Sequence, residues 1–235
     1  MNPHLQFISE SALLLEWEFS PSLETNEHIL AFHEYLQHHP FPGYVEGVPA
    51  YTTLTIHFQP LTISGMDPFE QVRKSVLQAL DRTQTRQEEK SGNLIQIPVC
   101  YDSMYGPDLT YVASYHGFTE EKVISIHTNS DYPVYFLGFA PGFPFLGGMD
   151  PELATPRKQT PRQQVAAGSV GIASSQTGVY PLSTPGGWQI IGRTPLPLVT
   201  TNENQPTLLQ PGDTVRFVAI TAEEFEEMEA TSSWD

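Results

Sequence analysis

Three arginines stand where proline or glycine controls the backbone beside them. Arg157 and Arg162 follow Pro156 and Pro161 across a short turn, and Arg193 follows Gly192. A guanidinium is a planar fork of donors that matches carboxylate and phosphate oxygens. A glycine-containing stretch such as AGSVG (167–171) can turn backbone N–H groups toward the same kind of anion. The candidate anion-binding set is therefore Arg157, Arg162, Arg193, Gly168 and Ser169. Gln176, Thr177 and Tyr180 join it from QTGVY, and Gly186, Gly187 and Trp188 from PGGW. Each has an ordinary alternative. The arginines can pair with acids or carbonyls of the protein itself, Trp188 can pack in the core, and the QTGVY residues can serve a turn.

The stretch YFLGFAPGFPFLGG (135–148) holds five aromatic residues, four glycines and two prolines in fourteen positions. Its first residues read as a strand, with Gly138 marking a close approach. Pro141, Gly142, Phe143 and Phe145 read as a stiffened loop that shields a small anion or meets a partner. Acid–base candidates are few. His127 ends a predicted helix, where an imidazolium would favour the helix dipole, and it is the one catalytic candidate, ahead of His116. His28, His33, His38 and His39 lack the cysteine or carboxylate spacing of a zinc site, so no metal is expected. The single cysteine, Cys100, reads as a buried strand thiol. GSVG is one residue too tight for a G-x-S-x-G elbow, and no phosphate-binding G-x-x-x-x-G-K-[ST] loop occurs.

The net charge of −16 argues against nucleic acid and anionic membrane as partners. Between Tyr132 and Asn202 there are four cations and two acids, a balance of +2, against seven and 25, or −18, in the rest of the chain. Acids either avoid a compact β region or leave room for a carboxylate or phosphate. The first residues lack a basic start and an apolar run, and with one cysteine the expected setting is cytoplasmic.

The elements that must position these residues fall into two sets. Residues 1–90 alternate short strands with two helices. One, near 22–40, is capped by Ser22; the other, 67–83, is capped by Asp67 and has Phe69, Val72, Val76, Leu77 and Leu80 as its stripe. That pattern predicts an α+β sandwich, ferredoxin-like in kind. A linker is expected at 87–93. Residues 91–235 begin with a strand and two short helices, with Asp108 and Thr119 as caps and Gly117 between them. Short strands and turns then predict a mainly-β barrel. The acidic tail is either a solvated helix or frayed.

The three glycine-rich blocks, with YGPDL (105–109) and LLQPGDTVRF (208–217), resemble the B subunit family of the ATP-hydrolysing 5-oxoprolinase. That family includes an inhibitor of a sporulation histidine kinase and is similar to the C/D subdomain of urea-amidolyase-type carboxyltransferases. One departure is Ala166, where the family has proline; it removes no polar group. The resemblance implies a cyclophilin-like barrel without prolyl isomerase activity. It also implies companion subunits C and A and a small carboxylate substrate, with ATP bound by a partner or jointly. The alternatives it leaves open are a module that binds a histidine kinase and a carboxyltransferase or allophanate-hydrolase-related subunit. No Met-Lys-Met biotinylation site is present.

Overall fold

The computed structural model describes residues 3–17, 22–65, 67–83, 92–202 and 205–231. The chain divides into two compact units, Met1–Lys90 and Ser91–Asp235.

In the first unit, β1 (His4–Ser9) and β2 (Ala12–Glu16) form a hairpin and α1 (Leu23–His38) follows. A second hairpin, β3 (Tyr44–Pro49) and β4 (Thr53–Phe58), leads to α2 (Pro68–Thr83). The sheet order is β1-β2-β4-β3, with every neighbour antiparallel. Thus β2 and β3 run parallel, with β4 between them and α1 as the crossover. Strand periodicity sorts β4 cleanly: Leu54, Ile56 and Phe58 are buried, while the alternate residues are not. Ile29, Phe32 and Leu36 of α1 and Val72, Val76, Ala79 and Leu80 of α2 share their cluster. Both expected caps form, Thr25 N–H donating to Ser22 Oγ at 3.1 Å and Glu70 N–H to Asp67 Oδ1 at 3.0 Å. The α2 stripe needs a correction. Leu77 is 47% exposed and Phe69 sits at the rim, because positions 72, 76, 79 and 80 share the i, i+4, i+7, i+8 face. The element order ββαββα stands one strand out of step with the βαββαβ of a ferredoxin-like domain.

The second unit begins with β5 (Leu94–Cys100), α3 (Leu109–His116) and α4 (Glu120–Thr128). Next come β6 (Tyr132–Leu137), β7 (Pro144–Leu146), β8 (Arg162–Val165), β9 (Ser169–Ala173) and β10 (Gln176–Val179). The unit ends with β11 (Thr184–Gly186), β12 (Gln189–Arg193), β13 (Thr214–Ile220) and α5 (Ala222–Thr231). Seven strands form one sheet, ordered β10-β9-β12-β5-β13-β6-β7, in which only β5 and β13 pair in parallel. The outer strands approach each other: a Cβ built on Gly178 of β10 would lie 3.4 Å from Pro144 O of β7. The sheet is thus a nearly closed barrel. Ile97, Val99, Val134, Val170, Ile172, Ile191, Val215 and Phe217 form its core with Val112 of α3 and Val123 of α4. β8 and β11 form a separate antiparallel ribbon.

The acidic tail is an anchored helix through residue 231. Thr221 N–H donates to Glu224 Oε2 at 2.8 Å and Glu224 N–H to Thr221 Oγ1 at 3.2 Å, a reciprocal capping box. Phe225 is fully buried, its ring 4.2 Å from that of Tyr105. Residues 232–235 lie outside the described residues, as do 87–91 of the expected linker. Among the described residues no helix is long and apolar enough to cross a membrane.

Candidate functional site

The structure sorts the candidate residues into three groups. The first centres on Asp108, at the cap position of α3. Its side chain makes no cap bond and turns instead to three other elements. Arg162, opening β8, meets both carboxylate oxygens: Nη2 donates to Oδ1 and Nη1 lies against Oδ2, each at 2.8 Å. Lys158 Nζ donates to Oδ1 at 3.0 Å, and the Ile190 N–H of β12 donates to Oδ2 at 2.7 Å. Asp108 is only 5% exposed, and burial alone would raise its pKa. The bonds from Arg162, Ile190 N–H and Lys158 outweigh burial and hold the carboxyl below its ordinary range.

Beside this knot lies an aromatic cluster. Phe143, Tyr180 and Trp188 meet edge to face, with ring centroids 5.7–6.1 Å apart, over Val165, Ala173 and Ile190. The exposed Arg157 sets its guanidinium carbon 6.0 Å from the Trp188 ring centre, within cation–π range. Lys158 N–H donates to Gly187 O at 2.7 Å, which ties the basic loop to PGGW. Gly186 admits the Tyr180 hydroxyl, since a Cβ there would stand 2.4 Å from it. Burial raises the Tyr180 pKa, and Arg157 and Arg162 oppose the rise. Three cations against one acid leave the group net positive, with Lys158 and Arg162 both on Asp108 and Arg157 on the Trp188 ring.

The second group is internal. His127 has no exposed surface, and burial lowers its pKa to about 3. Thr177 donates to Gly171 O at 3.1 Å, so its oxygen accepts from His127 Nε2–H at 2.9 Å. The other ring nitrogen, Nδ1, then accepts from the Tyr101 hydroxyl at 2.8 Å. Tyr132 O–H donates to His127 O at 2.8 Å. The ring is neutral and both of its nitrogens are engaged within the barrel core.

The third group surrounds Arg193. Its Nε donates to Ala167 O at 2.9 Å, Nη2 lies 3.2 Å from Glu229 Oε1, and its guanidinium faces Phe225 of α5. The Gly168 and Ser169 N–H groups donate to Tyr180 O and Ala166 O, within the turn and the sheet. Gln176 opens β10 opposite Ala173. In the block at 135–148, Phe143 enters the aromatic cluster, Phe145 stacks on Phe136 at 4.3 Å, and Pro141 is exposed. Gly142 has φ +74° and no room for a Cβ beside Val199.

His116 lies 3.0 Å from Thr155 Oγ1, and His28, His38 and His39 are exposed, each against the carbonyl one turn back. His33 is half-buried on α1. Cys100 is 1% exposed, and burial raises its pKa. Among the described residues no group of three or more His, Cys, Asp or Glu could hold a metal. Sequence reasoning missed two members of the first group. Asp108 read as an ordinary helix cap, and Lys158 was passed over between two arginines. The only signal was the density of cations in PRKQTPR, which needed an acid somewhere.

The comparisons agree on where this chain stands. The family model of the carboxyltransferase domain, subdomain C and D, matches residues 3–209. The chain is 45% identical over 229 residues to the 5-oxoprolinase B subunit of Bacillus subtilis (strain 168), covering 94% of each chain. It is 41% identical over 213 residues to the 5-oxoprolinase B subunit of Escherichia coli O157:H7, covering 90% of this chain and 93% of that one. The crystal structure of TTHA0988 superposes with a TM-score of 0.77 at 38% identity, over 90% of this chain but only 40% of that longer chain. The chain belongs to the carboxyltransferase subdomain C and D family, among the 5-oxoprolinase B subunits within it.

Proposed function

We propose that this chain is the B subunit of an ATP-dependent 5-oxoprolinase, acting in the cytoplasm with subunits A and C to convert 5-oxoproline to L-glutamate. The observation that carries the reading is 41–45% identity to proteins of that name over nearly their whole lengths. Opening an unstrained lactam needs an activated amide carbonyl, and ATP can supply that by phosphorylating an oxygen. This chain's share is an anion-facing wall. Arg157 and Lys158 hold a substrate carboxylate or phosphate oxygens beside Trp188, and Arg162 with Asp108 fixes the loop that presents them. The Gly168 and Ser169 amides are engaged internally, which supports placing the nucleotide on a partner or at a shared surface. In this reading residues 91–235 form a cyclophilin-like barrel. Residues 1–90 form a circular permutant of the ferredoxin-like sandwich, which the split β2–α1–β3 crossover supports.

The test is reconstitution. The chain mixed with subunits A and C hydrolyses ATP in response to 5-oxoproline, and each component alone does not. In that mixture Arg157→Ala or Lys158→Ala raises KM for 5-oxoproline or ATP about tenfold or more, the scale of one charge-assisted bond, with the complex intact on gel filtration. No 5-oxoproline-dependent turnover in the wild-type mixture overturns the function. Unchanged kinetics in both variants overturns the wall.

A further inference from the structure

Phe139 is an unusual residue in the block between β6 and β7. It has φ +67°, one of two non-glycine residues in the left-handed region among the described residues, and it is 78% exposed. A bulky side chain rarely adopts that conformation, and such strain persists only where surrounding structure imposes it. Here the imposition is visible. Ala140 N–H donates to Gly138 O at 2.7 Å, closing a three-residue turn around Phe139. Gly138 N–H donates to Phe143 O at 3.1 Å and Phe143 N–H to Ala140 O at 3.0 Å, which fixes both flanks. The Phe143 ring, 5.7 Å away and edge-on, supports Phe139 from the aromatic cluster below. The fold thus holds a large apolar ring out in water on a rigid base, at a conformational cost that folding alone does not need.

We propose that Phe139 is the anchor by which this chain docks onto a companion subunit of its complex, inserting into an apolar socket flanked by carboxylates. The inference rests on the functional reading above and names the contact through which that assembly forms. A rigid exposed aromatic is the kind of residue that dominates an interface once desolvated. The chemistry of the socket's rim follows from its neighbours. Phe139 rests on Phe143, Phe143 on Trp188, and Trp188 carries Arg157, so a chain of ring contacts links the knob to an exposed cation in an otherwise acidic chain. The length of TTHA0988, of which this chain matches 40%, shows that a relative carries a further polypeptide alongside this unit.

The deciding experiment uses the full chain and the purified companion subunits. Phe139→Asn removes the ring and substitutes a residue that tolerates the left-handed region. Calorimetric titration should show affinity for the companion weakened at least about tenfold, as for loss of an interface anchor. Melting of the isolated variant should show Tm unchanged or raised by about 2–4 °C, through relief of strain. Phe139→Tyr, which keeps the ring, should bind within about threefold of wild type. Wild-type affinity in Phe139→Asn overturns the anchor, as does Phe139-dependent self-association of the chain on gel filtration. If the wild-type chain binds no companion, the functional reading fails and the anchor falls with it.

Discussion

Asp108 carries one charge and receives three hydrogen bonds and a further ion-pair contact from three other parts of the chain, so its loss should spread. Removing the anion from a buried pair leaves cations uncompensated, which costs about 3 kcal/mol. Asp108→Asn is expected to lower stability by about that much in denaturant titration. Because Arg162 meets both oxygens and Lys158 only one, a double-mutant cycle should find stronger coupling of Asp108 to Arg162→Met than to Lys158→Met. Equal couplings would contradict the division of roles between the two cations. In the sequence the guanidinium chemistry at 157, 162 and 193 was legible, but the assignment of each arginine was not. Arg193 ends on Glu229, and Arg162 on Asp108, 54 positions away along the chain. No local pattern encodes partners at that separation.

Among the secondary-structure elements, YGPDL is a fastening. Gly106 lies against β12, where a Cβ would stand 2.2 Å from Ile191 O, and Asp108 N–H donates to Ile190 O at 2.8 Å. Gly106→Ala should push α3 away from β12, costing about 2 kcal/mol or more as overpacking does, and should disturb the Asp108 knot. A thermal melt with a wild-type midpoint would refute the close approach. The helices were readable in advance because caps and apolar stripes are local signals. The capping box of α5 is equally local, as Thr221 and Glu224, but the acidic composition around it hid the buried Phe225. The β8–β11 ribbon was not readable, since its strands are short and residues 166–183 separate them along the chain.

Across the whole molecule, the two units have separate apolar cores, and His127 lies in that of the second. Unfolded, its imidazole takes a proton near pH 6.5; folded, not until about 3. In that interval the unfolded state binds the extra proton, so stability is full at neutral pH and falls as pH drops. One such group contributes about 1.4 kcal/mol per pH unit. In denaturant titrations across this range, His127→Gln should flatten the pH dependence of stability between about pH 6 and 4. An unchanged slope in the variant would assign the acid sensitivity elsewhere. Below about pH 4 the depressed Asp108 adds a second loss, as its carboxylate takes a proton and releases its donors.

Residue chemistry, the helices with the caps at Ser22, Asp67 and Thr119, the barrel-like class and the family all follow from the order of residues, because composition, spacing and motif are properties of neighbours along the chain. Folding settled which cations meet Asp108, that His127 is enclosed with both nitrogens used, and that Phe139 rather than Phe143 or Phe145 faces water. Those outcomes depend on which distant groups meet. A charge or a ring becomes available to a ligand or partner only when the folded chain has left it unmatched.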